Sequence, residues 1–360
     1  MYGYLNTILN RSGEASNIMY TLMFGAGTAV LAYGCILRVF LRPMKVVSVR
    51  RKHCFVTGGS SGIGKELAKQ MMREGAHVTI AARRQDVLDD AMEEILACQV
   101  SPDQLAQAIS MDVGNPKEVE QVVAKAVSAQ GPVQILANCA GFAIAKEFDE
   151  MEASDLERVI RVNTLGTAYV TRALLPGMKA AGGGRILFTS SMCGMTGIYG
   201  YVGYCGSKFA LVGMAQALQM EVKAYDIGVS VAYPPDTDTP GFATENVGKP
   251  AATHRISQSG GNLFSPKKVA SKIVRSLERG DFCITFGVEG YFLGLGTAGF
   301  SPSFSVLEAI TQVLTASLLR AVFLLFTCDY YRVAAEEKKS RTFFASPTSG
   351  NVSYQQSATR

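Results

Sequence analysis

The chain has 360 residues, 48% of them hydrophobic, with a formal net charge of +5. That length fits two domains or one α/β domain of about 250 residues with appendages, and the apolar content exceeds what a soluble domain needs, so part of the surface is expected to meet lipid. The positive excess is local, gathered in Arg38, Arg42, Lys45, Arg50, Arg51 and Lys52, which argues against a nucleic-acid partner; three histidines and eight singly scattered cysteines leave little with which to build a metal site or a Ser/His/Asp hydrolase.

After a short tail at 1–17, residues 18–37 run without a charge. Twenty helical residues span about 30 Å, the hydrocarbon thickness of a bilayer. A signal peptide would carry its positive charge ahead of a shorter apolar stretch, whereas here the basic segment 38–52 comes after. The stretch therefore reads as an uncleaved transmembrane anchor, with a signal peptide or a buried helix as alternatives. The positive-inside rule then places the basic flank and the chain beyond it in the cytosol.

From 53 to 286 short β-branched runs alternate with helical patterns, the mark of βαβ units and a parallel sheet. The runs CFVT, HVTIAA, QAISMD, VQILAN, GRILFTS, GVSVAY and DFCITF give seven strands. Seven make one complete doubly wound α/β sheet of Rossmann type. Intervening helices include KELAKQMMREG, stopped by Gly75, and SKFALVGMAQALQMEVKAY, whose apolar residues recur at three and four.

Past Gly287 the chain turns apolar again. Residues 290–307 lack charge but hold Gly294, Gly296, Gly299 and Pro302, and 309–328 are broken only by Arg320. Segment 287–330 reads as membrane-associated, a re-entrant or interfacial piece and then a helix, against the alternative of a C-terminal helix packed on the sheet or on a second subunit. Segment 331–360 reads as a polar tail, disordered from about Glu336 onward.

The run TGGSSGIG, Thr57 to Gly64, follows a strand and opens a helix. In that setting Gly58 permits a tight turn, Gly62 lets backbone approach a pyrophosphate, and Gly64 allows close helix packing. The helix N-terminus supplies amides and partial positive charge. At the end of the second strand, where an NAD enzyme places an acid, stand Arg83 and Arg84. Those cations suit a 2′-phosphate, so NADPH is expected over NADH.

Farther on, YCGSK places Tyr204 and Lys208 four apart, thirteen residues after Ser191. On a helix these two share a face, and a phenol beside a fixed cation becomes a usable proton donor. Alone, Tyr-x-x-x-Lys is a weak signal. Together with G-x-x-x-G-x-G behind a first strand, it resembles the short-chain dehydrogenase/reductase family.

That resemblance implies hydride transfer to a carbonyl carbon with Tyr204 as proton donor, Lys208 lowering its pKa and holding the nicotinamide ribose, and Ser191 on the carbonyl oxygen. Asn163, in VNTLG, is implied as the fourth catalytic member, ordering a water. The implied cofactor residues are Gly58, Ser60, Ser61, Gly62, Ile63 and Gly64, then Arg83 and Arg84, Asp112 and Val113, Asn138 in NCAG, Tyr204, Lys208, Thr237 and Thr239. Cys139 and Pro235 depart from the family pattern, and Pro235 leaves the path of its loop open. Within the family, VAYPPDTDTPGF is similar to members that reduce a long-chain sphingoid ketone at the cytosolic face of the endoplasmic reticulum, in sphingolipid synthesis. A membrane-bound retinoid or steroid dehydrogenase is the alternative, and a non-catalytic NADPH-binding protein is the alternative of another class. Likeness also implies a homo-oligomer, paired through the helices bearing Asn163 and Tyr204.

Overall fold

The computed structural model describes residues 28–38, 44–258 and 263–345. Seven parallel strands form one sheet: β1 (His53–Thr57), β2 (His77–Ala82), β3 (Ala106–Ser110), β4 (Val133–Asn138), β5 (Gly184–Thr189), β6 (Ile227–Ala232) and a two-residue β7 (Cys283–Ile284). Their spatial order is β3-β2-β1-β4-β5-β6-β7. All seven runs read as strands are strands.

The helices are α1 (Thr28–Arg38), α2 (Gly62–Arg73), α3 (Gln85–Leu96), α4 (Pro116–Gln130), α5 (Ala153–Ile160), α6 (Thr167–Ala180), α7 (Val202–Val222), α8 (Pro240–Glu245), α9 (Ala251–Gln258), α10 (Pro266–Arg279), α11 (Gly287–Gly296) and α12 (Val306–Ala345). Parallel strands need crossovers, and these cover both faces of the sheet. One face buries Leu67 and Met71 of α2, Ile95 of α3 and Ile273 of α10. The other buries Val119 of α4, Leu174 of α6 and Leu211 of α7. The helix ends follow local chemistry: Asn115 caps α4, accepting from the Lys117 and Glu118 amides ahead of Pro116, and the turn after α2 closes at Gly75 with φ +87°.

The strand order reverses between β1 and β4, so the loops leaving these two strands diverge and open a crevice above the sheet. Thr57 and Asn138 end the two strands in register. At the opposite edge, buried Arg185 of β5 ties the preceding segment to the sheet. Its guanidinium donates to the carbonyls of Leu277 and Gly184, both at 2.9 Å, and of Lys45.

Of the expected anchor at 18–37, residues 18–27 lie outside the described residues. The rest belongs to α1, where a Cβ on Gly34 would stand 3.2 Å from Ile310 of α12. At the other end, the glycine-broken piece folds as the short α11, and α12 then runs on past Glu336 to Ala345. Forty residues make about 60 Å of helix. The stretch Val306–Lys339 is long and apolar enough to cross a bilayer, and only 6% of its most apolar part is buried. One side of α12 nevertheless docks on the catalytic fold. Val333 packs with Ala252 and Ile256, Arg255 pairs with Glu336 at 2.7 Å, and the Ala252 amide donates to Glu337 at 2.9 Å.

Candidate active site

Above the crevice lies a cavity of about 1070 Å³ that runs from the glycine turn to α11 and α12. At one end is the turn from β1 into α2. Gly58 and Gly62 adopt φ of +64° and +55°, a region that costs side chains with a Cβ. A Cβ on Gly64 would lie 2.3 Å from the Gly58 carbonyl oxygen, so helix and turn can touch only because Gly64 is bare. Ser61 is the extended N-cap of α2 and its side chain caps no amide there, leaving the helix N-terminus facing the cavity. Ser60, Ser61, Ile63, Arg83, Arg84, Asp112 and Val113 all line this end. Such a cradle, amide-rich and flanked by two exposed arginines at the end of β2, fits a dinucleotide.

The middle of the cavity holds Ser191, Tyr204 and Lys208. Tyr204 falls in the first turn of α7 because that helix begins at Val202, five residues before the SKFAL pattern, and Lys208 follows one turn later. The Lys208 ammonium stands 5.6 Å from the centre of the Tyr204 ring and donates to the Thr189 carbonyl at 2.8 Å. Burial lowers its pKa to about 8. Tyr204 moves the other way. Burial, chiefly, and the Glu245 carboxylate hold its phenol well above the ordinary value, with a hydrogen bond to Ser191 offsetting part of the rise. The reduction expected from Lys208 is therefore outweighed in the chain itself, and the hydroxyl stays protonated and able to donate.

Asn163 reaches the same place by an irregularity that the sequence does not announce. Between α5 and α6 the residues Arg161–Gly166 form a π-helical turn. It lets Gly166 press against Val113, where a Cβ would sit 2.7 Å from the valine side chain. The turn aims Asn163 inward, fully buried. Its Oδ1 accepts from the Phe142 amide at 3.0 Å, and its Nδ2 donates to the Phe142 carbonyl at 2.9 Å and to Ser207 at 3.0 Å. A point beside Gly141 lies 3.1 Å from Asn163 Oδ1 and 3.4 Å from Lys208 Nζ, so the two groups face one small space.

Asn138 is placed elsewhere. Its side chain donates to Thr171 at 3.1 Å and to the Leu187 carbonyl at 3.3 Å inside the fold, and it does not line the cavity. At that strand end Thr57, not singled out from sequence, does the visible work: its hydroxyl accepts from the amides of Cys139 and Ala140, both at 3.1 Å. Cys139 is a protonated thiol, raised by burial to about 11. Pro235 leaves its loop well anchored, because Thr237 donates to the Pro235 carbonyl at 2.8 Å and Phe264 to the Asp236 carbonyl at 2.9 Å. Thr239 caps α8 through the Phe242 amide and packs over Gly62, closing the loop across the glycine turn. Asp236 and Glu245, which also line the cavity, lie in runs without periodic signal and were missed.

A family model described as short chain dehydrogenase matches residues 52–249. The chain is 43% identical to a 3-ketodihydrosphingosine reductase of Bos taurus over 78% of its own length and 85% of the relative's. It is 43% identical, with the same coverage, to a 3-dehydrosphinganine reductase of Danio rerio. To the 3-dehydrosphinganine reductase TSC10A of Arabidopsis thaliana it is 37% identical, over 84% and 90%. Among solved structures, a levodione reductase superposes with a TM-score of 0.58 at 21% identity, covering 64% of this chain and 91% of the other, a likeness of fold. With that match over more than half its length, the chain belongs to the short-chain dehydrogenase family.

Proposed function

We propose that this nicotinamide-dependent oxidoreductase reduces 3-ketodihydrosphingosine to dihydrosphingosine with NADPH, in the membrane of the endoplasmic reticulum with its catalytic domain in the cytosol. The observation that carries the reading is one continuous cavity. It joins the glycine cradle and Tyr204 to an apolar end walled by Phe292, Leu293, Leu319 and Phe323 of α11 and α12. Relatives of that name match most of the chain. Each buried methylene of a long-chain substrate is worth about 0.8 kcal/mol, so such a ketone resides in lipid, and a catalytic fold bearing an exposed apolar helix meets it there.

When bound, the nicotinamide supplies the hydride. Ser191 and Tyr204 hold the carbonyl oxygen, and Tyr204 gives its proton to the oxygen as the alkoxide forms. Lys208 resupplies the proton to the phenolate, and Asn163, facing the same small space, orders a water that relays protons to Lys208. Apolar side chains exposed on α7, among them Val202, Phe209 and Met220, support pairing of two copies through the helices that carry Asn163 and Tyr204. Membranes holding the protein, given NADPH and a panel of sphingoid, steroid and retinoid carbonyls, test the assignment. Preference for the sphingoid ketone is expected, and preference for a retinoid or steroid would reassign the substrate.

Arg83→Asp is expected to weaken NADPH binding by about 10- to 100-fold, the loss of one charge-assisted contact of about 1.5–3 kcal/mol, while NADH loses far less. Equal losses with both cofactors would reject the 2′-phosphate role.

The alkaline side of the pH profile reports on Lys208. Its folded pKa of about 8 means that the ammonium is lost as pH rises through that value, whereas Tyr204 keeps its proton across the same range. The rate should therefore fall above about pH 8, and a profile flat to about pH 10 would remove Lys208 from the proton path.

A further inference from the structure

Two carboxylates stand in the cavity wall near Tyr204, and proton transfer to the ketone oxygen gives neither a task. Asp236 lies half-buried in the loop after β6. The Met192 amide donates to the Pro234 carbonyl at 3.3 Å, which lays that loop against the turn carrying Ser191. Glu245 ends α8 and accepts a hydrogen bond from the Tyr201 hydroxyl. The Tyr201 ring centre is 5.5 Å from that of Tyr204, so this carboxylate is one aromatic ring away from the proton donor.

The nearby ammonium groups are committed to other partners. Lys249, its side chain fully buried, pairs with Glu245 at 3.2 Å and lies over the rings of Tyr201 and Phe242, 5.3 and 5.2 Å from their centres. It also donates to the Asn246 side chain at 3.2 Å. Neither this ammonium nor that of Lys208, which donates to the Thr189 carbonyl, bonds the Asp236 carboxylate. Among the described residues no side chain donates a hydrogen bond to the Asp236 carboxylate. Burial, chiefly, and Glu245 raise its pKa, while Lys249 and His254 oppose the rise. A half-buried carboxylate left without a partner is costly, and a cation entering the cavity would supply one.

With the ketone oxygen held at Ser191 and Tyr204, a substituent on the adjoining carbon points to the neighbouring wall, which on the β6 side is the Asp236 loop. We propose that Asp236, backed by Glu245, recognises an ammonium group on the carbon next to the reacting carbonyl and so makes the enzyme selective for amino ketones. This rests on the reductase reading above.

The test compares 3-ketodihydrosphingosine with the otherwise identical ketone in which hydrogen replaces the amine. In the wild type the amino ketone should have the higher kcat/KM by at least about tenfold. Asp236→Asn should lower kcat/KM for the amino ketone by about 10- to 100-fold, chiefly through KM, because the ion pair exists before and during the reaction. Its loss on the amine-free ketone should be at least about tenfold smaller. Equal losses on both ketones overturn the ammonium site and leave the reductase standing. A wild type that reduces neither ketone overturns both. Should Asp236→Asn fail to fold, the wild-type preference alone decides, and equal kcat/KM for the two ketones overturns the proposal.

Discussion

Tyr204→Phe is expected to lower kcat/KM for the ketone by about 10²- to 10⁴-fold, the range that one positioned general acid contributes. The change removes a single oxygen. The ring keeps its place against Tyr201, tilted at 56°, and beneath the Lys208 ammonium, so the loss belongs to chemistry and not to packing. At about 1.36 kcal/mol per decade, that range corresponds to roughly 3–5 kcal/mol of transition-state stabilisation. The structure makes the effect large because burial keeps the phenol protonated, and the Lys208 ammonium is hydrogen-bonded to the Thr189 carbonyl. Steady-state rates at saturating NADPH decide it. A variant retaining more than about a third of wild-type kcat/KM would place the proton donor elsewhere, since even the weakest general acid contribution exceeds that.

How far the sequence led is clearest where one signal had one meaning. Seven β-branched runs separated by helical patterns allow only a parallel sheet with crossovers, and the sheet follows. The glycine run was legible because its glycines sit where no other residue fits: φ is positive at Gly58 and Gly62, and Gly64 touches backbone. Signals failed where side-chain pattern does not determine backbone. RVNTLG reads the same in an α-helix or a π-turn, and only the approach of Gly166 to Val113 selects the latter. Asn138 sits at a strand end that faces the cavity, yet its amide turns into the fold to meet Thr171. The run after Glu336 looked like a tail for its polarity, but its Ala, Glu, Lys and Arg are strong helix formers and extend α12 to Ala345. Asp236 and Glu245 gave no hint because a lone acid in a loop or at the end of a six-residue helix has no period, and the setting of Glu245 becomes visible only when Lys249 and Tyr201 are folded against it.

The largest effect on cofactor binding is expected from Gly64→Val. The nearest atom to an added Cβ is the Gly58 carbonyl oxygen at 2.3 Å, with the Gly58 carbonyl carbon at 2.9 Å and Cys139 Cβ at 3.3 Å. Backbone cannot swing aside as the end of a flexible side chain can, so α2 must lift from the turn, and overpacking of this kind costs about 1–3 kcal/mol. The lift also moves the α2 N-terminus away from the glycine turn, and the pyrophosphate loses amides and turn together. Thermal unfolding with and without NADPH separates the two consequences. At 100 times its Kd a ligand stabilises the folded chain by about 2.7 kcal/mol, and a 100-fold loss of affinity shrinks that to below about 0.5 kcal/mol at the same concentration. Gly177→Ala supplies the contrast: on α6 an added Cβ meets nothing within 4 Å, so this variant should be about 0.5–1 kcal/mol more stable and should keep the full NADPH shift. If Gly64→Val kept that shift as well, the turn would not be what holds the dinucleotide.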